Sequence, residues 1–320
     1  MEKNTSLFVG VDVAKDQLDI AFSNGVKSRC VPYDAQHLQR LIEELMVLAP
    51  ALVLLEATGG YEKPLVYALE AAGLPYRVAN PRLVRDFARA TGKLAKTDQI
   101  DAQVLVEYAR KLKPEARTLA DPARLVLREL VLRRQQLLDM KAQEENRLRT
   151  APKTVAVSIR AIIRVLEKHI HKLEQQMNDF LDQHPMLIAE TELLESVKGV
   201  GPVLSRTLCG LVPELGHVNH KQIAALIGVA PFNCDSGRFR GKRSCWGGRA
   251  EVRRILYMAT IIAVRYNPKF TIFYQRLREA GKPFKCAIVA AMRKLIVLLN
   301  AMMRDFYATQ NASSATCHAK

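Results

Sequence analysis

Residues 6–25 read SLFVGVDVAKDQLDIAFSNG, and residues 51–60 read ALVLLEATGG. The first stretch is an apolar, β-branched run, a polar turn, and a second alternating run that ends at Asn24-Gly25, which is the pattern of a β-hairpin. The second is a short apolar run closed by glycines, which fits a buried strand. Between them, 34–47 carries helical spacing. After them come a helix from Tyr61 to Ala72 closed by Gly73, a short strand in 75–80 (PYRVAN), and a basic helical stretch from Arg82 to Lys113. Strands alternating with helices predict an α/β layer domain over the first ~115 residues.

From Asp121 to Pro185 the strand signals stop. Ile159, Ile163, Leu166, Ile170, Leu173, Met177 and Phe180 step alternately by four and three, a heptad seam bounded by Pro152 and Pro185. With the apolar helix at 125–148 it predicts a helical hairpin or coiled-coil arm, and an internal helix pair satisfies the same pattern. From Met186 the chain reads as a helix, the turn Lys198-Gly199-Val200-Gly201-Pro202 and another helix, similar to a helix-hairpin-helix, whose free N–H groups suit a phosphate. A polar glycine-rich segment, two apolar helices and a disordered tail complete the reading. The expected organisation is 1–118 (α/β), 119–187 (helical arm), 188–310 (mostly helical) and 311–320 (tail).

The chain has 320 residues, 49% hydrophobic, with 48 Lys and Arg against 32 Asp and Glu, a formal net charge of +16. Such a balance favours an anionic partner, nucleic acid first. Its start lacks the basic-then-apolar pattern of a secretory leader. The apolar stretch 287–303 is broken by Arg293 and Lys294, so a buried helix is expected there and no membrane partner. Cysteines 30, 209, 234, 245, 286 and 317 form no C-x-x-C pair and read as reduced thiols of a cytoplasmic protein.

Four carboxylates stand out. Asp12 interrupts Val9, Val11 and Val13, and Glu56 ends a strand of leucines and valine. A carboxylate in such a place is costly unless it is paired, hydrogen-bonded or metal-bound. Asp98 and Asp101 lie three apart, on one side of a helix. Together they can hold two divalent ions ~3.5–4 Å apart, and hard oxygen donors suit Mg²⁺ or Mn²⁺. Taken singly, Asp98 also reads as a helix cap, Asp101 as a partner for a lysine and Asp12 as an edge-strand residue. The second candidate is Ser236, in Asp235-Ser236-Gly237. Residues 231–254 around it carry seven cations, Arg238, Arg240, Lys242, Arg243, Arg249, Arg253 and Arg254, against two acids. Arg238, Arg240 and Arg243 can clamp a phosphate, the other four belong to the expected nucleic-acid surface, and a hydroxyl activated by a metal or base can attack a phosphodiester. A serine in a turn that merely touches DNA is the alternative. Arg82, Arg85, Arg89, Lys93, Lys96 and Lys198 extend the expected nucleic-acid surface.

FVGVDVAK (8–15), LLEATGGYE (54–62), NPRLVRDFARATGKLAKTDQIDA (80–102), GVGPVLS (199–205), GVAPFNCDSGRFRGKR (228–243) and GGRAEVRRILYMA (247–259) together resemble the DEDD-type insertion-sequence transposases. That group (the one-ten family and eleven-eleven group) is also known as bridge-RNA-guided recombinases and is related to Piv-type DNA invertases. The likeness runs in order from about Leu7 to Arg304. It implies an N-terminal RuvC-like domain of ribonuclease H fold, with Asp12, Glu56, Asp98 and Asp101 as Mg²⁺ ligands. It also implies a coiled-coil dimerisation arm and a C-terminal transposase domain in which Ser236 attacks DNA to leave a phosphoserine. Donor and target DNA, a non-coding bridge RNA, and a homodimer that assembles into a tetramer are the implied partners. Three readings compete with it. A sugar-kinase or actin-like ATPase would want a glycine two residues after the aspartate, where Ala14 stands, and a second phosphate loop. A hydrolytic junction nuclease would need the carboxylates but not Ser236. A non-catalytic DNA-binding protein would need neither.

Overall fold

The computed structural model describes residues 6–92, 98–116, 121–232, 235–236, 239–241 and 243–317; at 98–99, 235–236, 239–240 and 313–317 it describes the backbone alone. The chain divides into two compact units, Met1–Ala120 and Asp121–Lys320.

In the first unit β1 (Phe8–Val13), β2 (Gln17–Phe22) and β3 (Arg29–Pro32) form an antiparallel run. On the other side of β1, β4 (Leu52–Glu56) and then β5 (Tyr76–Ala79) pair in parallel, for a strand order of β3-β2-β1-β4-β5. Helices α1 (Ala35–Leu48) and α2 (Lys63–Ala71) supply the crossovers, and α3 (Pro81–Ala90) and α4 (Asp98–Leu112) follow β5. This mixed sheet with helices is consistent with the ribonuclease H expectation. Side-chain alternation assigns the two faces. Val9, Val11, Leu18, Ile20, Val53 and Leu55 pack with Leu41 and Leu45 of α1 and Leu65 and Leu69 of α2. Phe8, Leu52 and Leu54 pack on the other face with Val84 and Ala88 of α3 and Val104, Leu105 and Ala109 of α4. Burial on both faces explains why β1 and β4 read as nearly continuous apolar runs.

Gly10 sets how closely α4 lies on this sheet. A Cβ at Gly10 would fall 2.4 Å from the Ala102 carbonyl oxygen and 2.8 Å from the Val106 nitrogen. Gly10→Ala must therefore push a helix backbone away, and overpacking of this kind costs on the order of 3 kcal/mol. The urea midpoint of the variant should fall accordingly. An unchanged midpoint would show that α4 is held elsewhere.

The second unit begins with α5 (Pro122–Thr150) and α6 (Lys153–Asp182), joined by Ala151-Pro152. The heptad seam of α6 closes inside this pair, where Leu166, Ile170 and Leu173 cluster with Leu137 of α5, and Leu130 and Leu138 pack beside them. Next come α7 (Pro185–Glu195), α8 (Pro202–Leu211) and α9 (His220–Ile227). Asn219 caps α9 by accepting from the Lys221 and Gln222 backbones, and Gly228 ends it with a left-handed φ of 77°. A two-stranded ribbon, β6 (Asp235–Ser236) with β7 (Phe239–Arg240), occupies the glycine-rich segment.

Three helices follow the ribbon where the sequence predicts two: α10 (Ala250–Tyr266), α11 (Pro268–Glu279) and α12 (Phe284–Cys317). The extra break comes at Asn267-Pro268, where Asn267 caps α11. α12 is also longer than expected, running to Cys317 through residues read from the sequence as a disordered tail from 311. It is long and apolar enough to cross a membrane. Yet Ile288, Ala291, Met292, Leu295, Ile296, Leu299 and Met303 are buried in the core of this unit, with Leu204, Leu208, Ile223 and Leu256. Asn300 is buried on the same helix, accepting from the Gly216 backbone at 2.9 Å and donating to the Val218 carbonyl at 2.8 Å.

Candidate functional site

Asp12 is the fifth residue of β1, and by alternation it shares a face with Phe8 and Gly10, the face covered by α3 and α4. Glu56 ends β4 on the face of Leu52 and Leu54, the same one. The parallel register pairs Val11 with Leu55, so the next step sets Asp12 beside Glu56 on strands about 4.8 Å apart. Both are half-buried. Asp101, half-buried as well, immediately precedes Ala102, whose carbonyl lies over Gly10. The packing that needs a glycine thus brings the start of α4 to the face that carries Asp12. Asp98 is the first residue of α4, one turn before Asp101 and on the same side of it. Among the described residues no three His, Cys, Asp or Glu side chains stand close enough to hold a metal ion; the Asp98 side chain lies outside them.

One carboxylate escaped the sequence reading. Asp19 of β2 is the antiparallel partner of Asp12 and is only 4% exposed. Its strand neighbour Ala21 packs with Ala102 and Val106 of α4, so Asp19 faces the same helix. It accepts from Gln17 Nε2 at 3.2 Å. The signal was present in the hairpin: Asp19 is the acidic residue between Leu18 and Ile20, opposite Asp12.

Arg82, Arg85 and Arg89 lie along α3, with Arg82 and Arg89 exposed and Arg85 half-buried; Arg89 is 3.9 Å from Asp86. Lys93 and Lys96 fall outside the described residues.

Ser236 lies at the end of β6, in register with Phe239 of β7. Its side chain and that of Arg240 are not described, and Arg238 and Lys242 lie outside the described residues. The segment that carries the ribbon is pinned at its base. The Phe232 backbone donates to the Ser244 carbonyl at 2.9 Å, and the Phe232 and Trp246 rings meet at 5.0 Å. Gly248 lies against the end of α9 so closely that a Cβ there would be 2.3 Å from the Gly228 nitrogen. Three of the expected DNA contacts also have partners within the chain. Arg253 donates to the carbonyls of Ile227 and Gly247. Arg249 makes a bidentate pair with Glu214 at 2.6 and 2.7 Å, and Arg254 pairs with Asp139 at 3.0 Å. Lys198 is exposed on the turn before α8. Arg243 is exposed and lines a cavity of about 390 Å³ with Lys285 and Arg293. The carboxylates thus belong to the first unit and Ser236 to the second.

Comparison with known proteins gives two family matches. The DEDD domain of IS110 elements, described as a transposase, matches residues 9–155, and the IS116/IS110/IS902 transposase family matches residues 191–275. The pilin gene-inverting proteins of Moraxella lacunata and Moraxella bovis are each 26% identical over 317 residues, covering 93% of this chain and 96% of theirs. A 42 kDa protein of the insertion element IS900 of Mycobacterium paratuberculosis is 26% identical over 154 residues, 45% of this chain and 38% of its own. Among solved structures, Thermus thermophilus RuvC in complex with a Holliday junction substrate aligns with a TM-score of 0.27 at 15% identity, covering 35% of this chain and 99% of its own. Matched in this order by two transposase family models, over residues 9–155 and 191–275, the chain belongs to the IS110-type family of DEDD transposases and recombinases.

Proposed function

We propose that this protein is the recombinase of a mobile element, which cuts and rejoins donor and target DNA by metal-assisted transesterification. Asp12, Glu56, Asp98 and Asp101 would hold the metal. Carboxylate oxygens are hard donors that fit Mg²⁺ or Mn²⁺ and poorly fit softer ions. The bound metal supplies Lewis-acid stabilisation of charge on the phosphate and lowers the pKa of a coordinated hydroxyl. Ser236 is the nucleophile: its oxygen forms a bond to phosphorus, the phosphodiester P–O bond breaks, and the DNA oxygen leaves with a proton. A phosphoserine linkage remains, and a DNA hydroxyl later reverses it, so the strands exchange without net hydrolysis.

The observation that carries this reading is the register of β1 and β4, which sets Asp12 beside Glu56 under a helix that begins with Asp98 and Asp101. The full-length match to proteins named for gene inversion supports rearrangement over simple cutting. Residues 1–118 would form the metal-binding domain, α5 and α6 the dimerisation arm (119–187), and 188–310 the serine-bearing domain. The carboxylates of one subunit would face the serine of another in a dimer that assembles to a tetramer. Pairing of donor and target through a bridge RNA from the flank of the element rests on the family resemblance alone. So does action on DNA in the cytoplasm of a bacterium or archaeon. The test is strand exchange between element ends and target DNA, with flanking RNA and Mg²⁺, comparing wild type with Asp12→Asn and Ser236→Ala.

A further inference from the structure

The loop that follows Glu56 is tied to a single carboxylate oxygen. Glu62 Oε2 accepts from the Gly60 backbone at 2.8 Å, from the Thr58 backbone at 3.1 Å and from the Thr58 hydroxyl at 3.1 Å. Burial raises the carboxyl pKa of Glu62, but hydrogen bonds from its own N–H, from Gly60 and from Thr58 outweigh that and hold it below its ordinary range. A second tie comes from Tyr33, just before α1. Its hydroxyl donates to the Tyr61 carbonyl at 2.9 Å and accepts from the Leu65 backbone at 3.0 Å. Between the ties stand Gly59 and Gly60 with φ of +76° and +119°, and a Cβ on either would meet nothing within 4 Å.

Two glycines in left-handed conformations with open space around them have no packing to fix them, and glycine loses more conformational freedom on ordering than any other residue. The final sheet bond of this edge is the one from the Ala57 backbone to the Ala79 carbonyl, at 3.2 Å. Beyond it, Glu62 and Tyr33 hold the path of the chain. We infer that Glu62, assisted by Tyr33, is a positioning residue for Glu56, fixing the loop that leaves β4 so that the Glu56 carboxylate stays aligned with Asp12. This inference rests on the metal-site reading above. A charged acceptor is suited to the task, because hydrogen bonds to an ionised carboxylate are about twice as strong as neutral ones, and three of them converge here.

Full-length Glu62→Ala and Glu62→Gln are compared with wild type and Asp12→Asn in two measurements. The first is Mn²⁺ binding without DNA, read from the free-ion EPR signal. The second is the rate of Mn²⁺-dependent strand cleavage as a function of metal concentration. Glu62→Ala should weaken Mn²⁺ binding several-fold and slow cleavage by ~10- to 100-fold, the size of effect that a misplacement of about 1 Å produces. Glu62→Gln, which keeps an oxygen acceptor but no charge, should recover part of both. If Glu62→Ala loses its folded circular dichroism spectrum, Glu62→Gln decides alone, with a loss of ~3- to 10-fold expected on the same ground. Wild-type Mn²⁺ binding and cleavage in the folded variant would overturn the positioning role, even with a lower melting temperature, since that pattern is purely structural. Full cleavage by Asp12→Asn, or no Mn²⁺ binding by wild type, would instead remove the metal site itself.

Discussion

Asp12→Asn should cut strands at least ~10³-fold more slowly than wild type, and Ser236→Ala should form no protein–DNA adduct at all. The first magnitude follows from asking a metal site for the several kcal/mol of charge stabilisation that a divalent ion supplies, at 1.36 kcal/mol per factor of ten. Asparagine keeps the shape of the side chain but gives up its charge. DNA affinity should survive, because attraction between a chain of net charge +16 and phosphate works through counterion release, and one lost negative charge does not weaken it. The plot of log affinity against log salt should keep its slope. Ser236→Ala separates the chemistries. In a transesterification it removes both strand exchange and the covalent intermediate. In a hydrolysis it leaves nicking untouched, since water attacks. Wild-type nicking by Ser236→Ala would hand the protein to the nuclease class, and full activity of Asp12→Asn would leave the carboxylates without a role.

The parts legible in the sequence were those with strong local periodicity. The alternating hairpin and the leucine-valine run at 52–56 predict β1, β2 and β4 because burial imposes their pattern directly. β3 was missed because Arg29-Cys30-Val31-Pro32 is a short edge strand with no fully buried residue, so almost no hydrophobic signal remains. Asp19 was missed for a different reason. The hairpin carries it as an acidic residue between Leu18 and Ile20, but that it stands opposite Asp12 depends on the register of the two strands, which has to be read from the pair and not from either strand alone. The seam of α6 was legible as a seam, but the residues that meet it, such as Leu137, belong to a helix without regular spacing. Arg249 and Arg253 read as part of the nucleic-acid surface because they sit among cations, and their contacts within the chain left no trace in the sequence. Their partners, Glu214 and the carbonyls of Ile227 and Gly247, come from segments that only the fold brings near.

The same principle, that a distant partner decides what a charge does, governs a fully buried carboxylate in the second unit. Glu190 of α7 is fully buried, and its carboxylate pairs with Arg124 near the start of α5. Tyr307 of α12 donates to Glu190 Oε1 at 3.0 Å and receives a hydrogen bond from Arg124 Nη2 at 3.1 Å, while Arg124 Nη1 reaches the Cys209 carbonyl of α8 at 3.3 Å. Four helices are thus joined around one ion pair. Burial works against the charge of Arg124, but Glu190 overcomes it and the guanidinium pKa is raised. Burial pushes the Tyr307 hydroxyl and the Cys209 thiol up, so both stay neutral. Glu190→Ala would strand Arg124 in the interior without its counter-charge, and breaking a buried pair this way costs about 3–5 kcal/mol. In a unit of this size each kcal/mol shifts the melting temperature by ~2–4 °C, so a fall of roughly 10 °C is expected. Tyr307→Phe, which removes a hydroxyl that donates to Glu190 and accepts from Arg124, should cost about 1.5–3 kcal/mol. The double variant Arg124→Met with Glu190→Leu should regain much of what Glu190→Ala loses, because apolar replacement of both partners removes the cost of desolvating two charges. Calorimetry on the three proteins decides the matter. A melting temperature within 2 °C of wild type for Glu190→Ala would show that Arg124 finds other compensation, and that the ion pair does not hold these helices together.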